Sequence, residues 1–180
     1  RRQRQMCIRD SSGNTNQDGS DANNSLTFSV DTKRPTLAIS DNDSDNALKA
    51  GDTAALTFTL SEASSNFTRS DISVSGGTLS NWNAASSTSY SATFTPTDNS
   101  TTDGVISVAN SKFSDSSGNT NQDGSDANNS LTFSVDTKRP TLAITDNDSD
   151  NALKAGETAA LTFTLSEASS NFTQSDVSVS

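Results

Sequence analysis

The chain contains no histidine, and its single cysteine (Cys7) and single methionine (Met6) both fall within the first ten of 180 residues. Without histidine there is no imidazole base and no nitrogen ligand for zinc, and one cysteine can build neither an internal disulfide nor a thiolate cluster. Ser–His and Cys–His nucleophile pairs are excluded on the same grounds. Proline is limited to three residues, and tryptophan and tyrosine to one each. No apolar run is long enough to be read as a membrane span. Positive charge is also scarce: 12 basic against 22 acidic residues give a net charge of −10. Setting aside Arg1, Arg2, Arg4 and Arg9 leaves 8 against 22, or −14. That balance offers no electrostatic footprint for nucleic acid or anionic lipid.

Large apolar side chains are few as well. Leu, Ile, Val and Phe number 31 of 180, a content that composition alone assigns to disordered chains. Their order overrules it. Apolar and polar residues alternate repeatedly, which is the period of half-buried strands. Seven strands are expected between Thr36 and Asp136: Thr36–Ser40, Thr53–Ser61, Asp71–Ser75, a short one around Thr78–Trp82 after a Gly76-Gly77 turn, Ser89–Thr95, Gly104–Ala109 and Ser130–Asp136. Clusters of Asn, Asp, Ser, Gly and Pro separate them, as turns require. No segment has helical periodicity. Seven short strands in about 100 residues predict an all-β, immunoglobulin-like sandwich. Trp82 and Tyr90 are read as core side chains, with an exposed aromatic platform for sugars as the alternative.

The sequence also repeats itself. Ser11–Ser75 recurs as Ser116–Ser180, a shift of 105 residues with four differences: Ser40/Thr145, Asp52/Glu157, Arg69/Gln174 and Ile72/Val177. A period of 105 is too long for a solenoid unit and suits a self-sufficient domain. The expected organisation is a tandem array. Residues 11–31 are the end of one copy with its last strand at Ser25–Asp31, residues 32–136 a whole copy, and residues 137–180 the beginning of the next, so the natural protein is expected to continue. Residues 1–10 align with the preceding pattern only at Asp10, which matches Asp115. They resemble a translated sequencing-adapter peptide and are read as a non-native segment.

The strings VDTKRPTLAI, ALKAGDTAALTFTLSEASSNFTRSDISVSGGTLSNW, SYSATFTPT and FSDSSGNTN resemble the bacterial Ig-like repeat domains of giant surface adhesins. The resemblance spans Thr32–Asp136. It implies an extracellular, cell-surface stalk with neighbouring repeats as partners, and calcium at some repeat junctions. Similar repeats also act as spacers in large secreted enzymes.

Strand parity offers a place for such an ion. If successive strands alternate direction, Asp41, Asp43 and Asp45 lie near Asp136 at the junction with the following copy. Asp115, Asn119, Asp123 and Asp126 lie near Asp31 and Glu62 at the junction with the preceding one. Asp146, Asp148 and Asp150 repeat the first set in the next copy. Calcium takes six to eight oxygen ligands of these types. The alternative is that these residues make solvated turns. DNDSDN is not an EF-hand start, since Asn46 and Asp52 stand where Gly and Glu are needed. Lys33 and Arg34 are expected to brace neighbouring carboxylates, and Pro35 to stiffen the linker. With no convergent set of catalytic groups, the chain is not expected to be an enzyme. Two functions remain open: a structural stalk, or a carbohydrate- or surface-binding module.

Overall fold

The computed structural model describes residues 9–15 and 26–179. Met6, Cys7 and the arginines before them lie outside the described residues. The chain divides into two units, Arg1–Lys33 and Arg34–Ser180, and each is described by itself.

The second unit contains the expected sandwich. Its strands are β1 (Leu37–Asp41), β2 (Ala47–Lys49), β3 (Ala54–Leu60), β4 (Ile72–Ser75), β5 (Gly77–Ala84), β6 (Ser89–Pro96), β7 (Gly104–Val108) and β8 (Ser130–Asp136). One sheet has the order β1-β3-β6-β5 and the other β2-β8-β7-β4. Every pairing is antiparallel except β2 with β8, which is parallel. The described residues contain short 3-10 turns but no α-helix. The fold is all-β and immunoglobulin-like.

Alternation builds the core. Along β3, Ala54, Leu56, Phe58 and Leu60 are buried while Ala55, Thr57 and Thr59 face solvent. Tyr90, Ala92 and Phe94 of β6 line the same face beside them, and Ile106 and Val108 of β7 with Phe133 and Val135 of β8 meet them from the other sheet. The edges of the seven expected strands agree with the sequence within one residue, apart from β5, which runs two residues further at its end.

Two features depart from the expected pattern. The first is β2, an eighth strand. Only Leu48 of its three residues is buried, so it carries no alternation to read. Its partner β8 is more than 80 residues away, with Leu48 opposite Val135. The second is a β-bulge in β5. Leu79 faces Phe94 and Ser80 faces Thr93, but the next partners are Asn83 with Ser91. Asn81 and Trp82 therefore share one position opposite the strand. Asn81 sits at φ 52°, the left-handed region that Asn tolerates better than most residues. The extra residue reverses side-chain parity. Leu79 and Trp82 thus both turn inward, three positions apart.

Glycine sets the packing at one point. A Cβ on Gly104 would stand 2.5 Å from Phe94 Cζ, and one on Gly77 would be equally close to it. Phe94 also stacks on Phe133, with centroids 5.5 Å apart and planes at 11°. The ring is thus bounded by Gly77, Gly104 and Phe133. Gly104→Ala is expected to destabilise by about 1–3 kcal/mol through overpacking, measured as a lower urea midpoint with an unchanged slope.

In the first unit, the expected strand Ser25–Asp31 is not formed. Ser25 lies outside the described residues, and residues 26–31 have no strand structure. Leu26, Phe28 and Val30 are 80, 75 and 75% exposed. Their equivalents in β8 lie in a sheet whose inner face is closed by the other sheet, and residues 26–31 pair with no strand among the described residues.

Candidate functional site

The segment between β7 and β8 gathers most of the buried polar groups. It begins with a turn closed by Asp115. The Asp115 carboxylate accepts from Ser117 N–H (2.9 Å), Asn119 N–H (2.8 Å) and Asn119 Nδ2 (2.8 Å). Gly118, at φ 86°, closes the turn. These hydrogen bonds, with the Asn119 amide foremost, hold the Asp115 carboxyl below its ordinary pKa. Asp10 closes the same turn over Ser12 and Asn14 and is lowered for the same reason. Asp10 thus behaves as a residue of the repeat, although residues 1–9 do not align with it.

Asn121, fully buried, ties the segment down. Its Oδ1 accepts from Lys112 N–H (2.8 Å), and its Nδ2 donates to Ala109 O and to Asp123 Oδ1, both at 3.0 Å. Asp123 in turn clamps the start of β1: Leu37 N–H donates to Asp123 Oδ2 at 2.6 Å. Asn129 Nδ2 donates to Asp123 O at 2.7 Å. Burial pushes the Asp123 carboxyl up, and the hydrogen bonds from Leu37 and Asn121 outweigh it, leaving its pKa lowered. Asp126 is exposed and heads a 3-10 turn over Ala127–Asn129.

Glu62, half-buried on the loop after β3, places a carboxylate oxygen within 4.8 Å of one on Asp115. That pairing agrees with the sequence-based pole. Arg34 Nη1 donates to Thr120 O (3.0 Å) at the same end. Asp31 belongs to the first unit, where its Oδ1 accepts from Lys33 N–H at 3.2 Å.

The second expected set is placed differently. Asp41–Asn46 is not a turn at the pole but the crossing by which the chain leaves one sheet and joins the other. Ser134 N–H donates to Asn46 O (2.8 Å), and β2 then runs parallel to β8 until Lys49 is level with Asp136. The turn at that pole is therefore made by residues after Lys49, with Gly51 at φ 93°. The carboxylates of the crossing accept from their own backbone. Asp41 Oδ1 takes Asp43 N–H (2.8 Å), while Asp43 Oδ2 and Asp45 Oδ1 take Ala47 N–H (3.0 and 3.2 Å). Asp146, Asp148 and Asp150 repeat those contacts. Asp136 Oδ1 accepts from Lys138 N–H (3.2 Å).

Thr137 was not singled out by the sequence, yet it is 2% exposed. Its hydroxyl donates to Thr97 O (2.6 Å) and accepts from Ser100 N–H (2.9 Å). Its own N–H donates to Ser100 O (2.9 Å). These bonds fix the path of the chain as it leaves β8. A lone threonine in a Thr-rich sequence carries no signal of this.

In the central copy the aromatic residues belong to the core, Trp82 partly buried against it. Phe67 meets Tyr90 at 5.0 Å and Phe113 at 5.2 Å between centroids, and Trp82 stacks on Tyr90 at 5.5 Å and 18°. Tyr90 OH donates to Ser64 O (3.2 Å). Trp82 is only partly covered, but its partners are core residues. A collisional quencher such as acrylamide is expected to reduce Trp82 emission several-fold less in the native chain than in urea, measured by Stern–Volmer slopes. Equal slopes would restore the exposed-platform alternative.

An antiparallel sandwich with β2 crossing to pair in parallel with β8, and a sequence that repeats it, invites comparison with known repeat families. Residues 31–135 and 136–180 both match the bacterial Ig-like domain. The chain belongs to that family. Bacterial Ig-like domains are generally structural, non-enzymatic modules, typically found outside the cell or at its surface. No curated protein matches the chain. Among the described residues, no helix is long and apolar enough to cross a membrane.

Proposed function

We propose that each bacterial Ig-like copy is an extender, or stalk, repeat of a cell-surface adhesin. The observation that carries this is near-identity between copies combined with inward-facing aromatic side chains. Selection for length explains repeated, closed modules, whereas a binding module would present its largest side chains to a ligand. The Thr137 anchor supports the same reading, because a fixed exit reduces bending between copies.

Calcium at the pole holding Glu62 and Asp115 is part of the proposal. Two carboxylates within 4.8 Å of each other repel, and a divalent cation would offset that repulsion.

Small-angle scattering of chains carrying one, two and four copies tests the stalk: the maximum dimension should grow by a constant increment per copy. Compaction with added copies would overturn it. For calcium, a two-copy chain should unfold several degrees higher in millimolar calcium than in excess chelator, as linkage requires. An unmoved midpoint would remove the ion and leave the stalk.

A further inference from the structure

The complete copy fastens its own chain at both ends. At the exit, Thr137 is 2% exposed, and its hydroxyl and N–H bond to Thr97 and Ser100, on the connection between β6 and β7. At the entry, Pro35 is fully buried. Thr36 N–H donates to Ser61 Oγ and Ser61 N–H to Thr36 O, both at 2.9 Å. Leu37 N–H donates to Asp123, and Arg34 reaches Thr120 from just before the proline. Different loops hold the two ends. The entry is gripped from the loop after β3 and from the β7–β8 segment, the exit from the β6–β7 connection.

The following copy begins with the same residues. Arg139, Pro140 and Thr141 are the equivalents of Arg34, Pro35 and Thr36. Thr141 and Ser166 form the same reciprocal pair, at 2.9 and 3.0 Å. Between the exit anchor Thr137 and the entry proline Pro140 stand only Lys138 and Arg139. Each brings two soft backbone dihedrals, and these are restricted. Lys138 N–H donates to Asp136 Oδ1 at 3.2 Å. In the first unit Lys33 N–H makes the same bond to Asp31, although residues 26–31 have no strand structure there. The turn is therefore a local property of Asp-Thr-Lys, of the kind an aspartate makes with the N–H two residues on. Arg139 precedes proline, which disfavours the helical region and holds it extended. Pro140 fixes its own φ.

We infer that the junction between consecutive complete copies is a rigid two-residue strut, Lys138–Arg139, whose stiffness comes from backbone restriction between two anchored ends and needs no bound ion. A cation at the pole then stabilises a copy without setting the angle between copies. The inference rests on the tandem-copy part of the stalk reading and deepens it. It also bears on proteolysis. Lys138–Arg139 is the one step in the period with two adjacent basic residues, and both are exposed. A protease holds its substrate extended for several residues on each side of the bond it cuts, and the flanking anchors withhold those residues. The strut is exposed in sequence terms and shielded in practice.

A chain of two complete copies, spin-labelled through Thr57→Cys and Thr162→Cys at exposed, equivalent positions, tests this by pulsed dipolar spectroscopy. The expected result is one narrow distance distribution, equally wide in millimolar calcium and in excess chelator. Two glycines inserted between Lys138 and Arg139 should widen it at least about two-fold. The same insertion should speed trypsin cleavage after Lys138 at least about ten-fold. It alters no packed residue, so the unfolding midpoint of the copies stays in place. A broad distribution in chelator that narrows with calcium overturns the inference and assigns the stiffness to the ion. Equal widths with and without the inserted glycines overturn it as well. The stalk reading fails separately: a narrow distribution at a distance that folds one copy back on the other supports the rigid junction and removes the extended rod.

Discussion

Phe133→Ala is expected to lower the unfolding free energy of the sandwich by about 3–5 kcal/mol, while Phe28→Ala changes it by less than about 0.5 kcal/mol. The two phenylalanines occupy the same SLTFSVD sequence. Phe133 is 0% exposed and Phe28 75%. The loss at Phe133 falls toward the upper end of the range because the cavity cannot easily close. Its stacking partner Phe94 is itself held between Gly77 and Gly104, and glycines have no side chain to move into the gap. Urea unfolding of both variants in the same 180-residue chain makes the comparison internal. Equal effects would mean that residues 26–31 are packed after all, or that the core is looser than its geometry.

Asp123→Asn is expected to cost about 2–4 kcal/mol, more than any other carboxylate substitution in the repeat. Both carboxylate oxygens act as acceptors, one for Leu37 N–H and one for Asn121 Nδ2. An asparagine offers one acceptor and one NH2 group. One buried donor would therefore face another donor, losing a charge-assisted bond and leaving a polar group unsatisfied. The pH dependence has a fixed sign. The Asp123 pKa is lowered in the folded chain, so its contribution is fully present above the unfolded carboxyl value of about 3.9. It is lost as pH falls through the lower, folded value. The stability gap between the parent chain and Asp123→Asn should therefore be constant near neutrality and narrow below about pH 4. A gap that does not narrow would show that the side chain acts by shape rather than by charge.

Both residues illustrate how far the sequence could be read. Phe133 was legible: it sits in an alternating run, and alternation on a strand selects a face. Asp123 was singled out, but for an ion rather than for a clamp, because NTNQDGSDANN has the composition of any solvated turn. Its role depends on Leu37, 86 residues earlier, and no local pattern reports a partner at that distance. The misplacement of Asp41–Asn46 has the same origin. Treating each connection as a reversal puts this turn at a pole, whereas the chain crosses to the other sheet there and continues in the same direction. Trp82 was assigned correctly to the interior, but strict alternation from Leu79 would have turned it outward. Only the bulge at Asn81 resolves that.

The sequence by itself determined the all-β class, the positions of seven strands, the inward side chains along them and the 105-residue repeat. Each is a local or self-comparing property, written in the two-residue period of a pleated strand or in direct identity. The tertiary structure alone decided the parallel β2–β8 pair, the Asn121–Asp123–Leu37 clamp, the Thr137 anchor, and which of two identical segments is buried. Those features are contacts between distant parts of the chain. Phe28 and Phe133 share a sequence and local propensities, and differ only in whether the rest of a sandwich stands beside them.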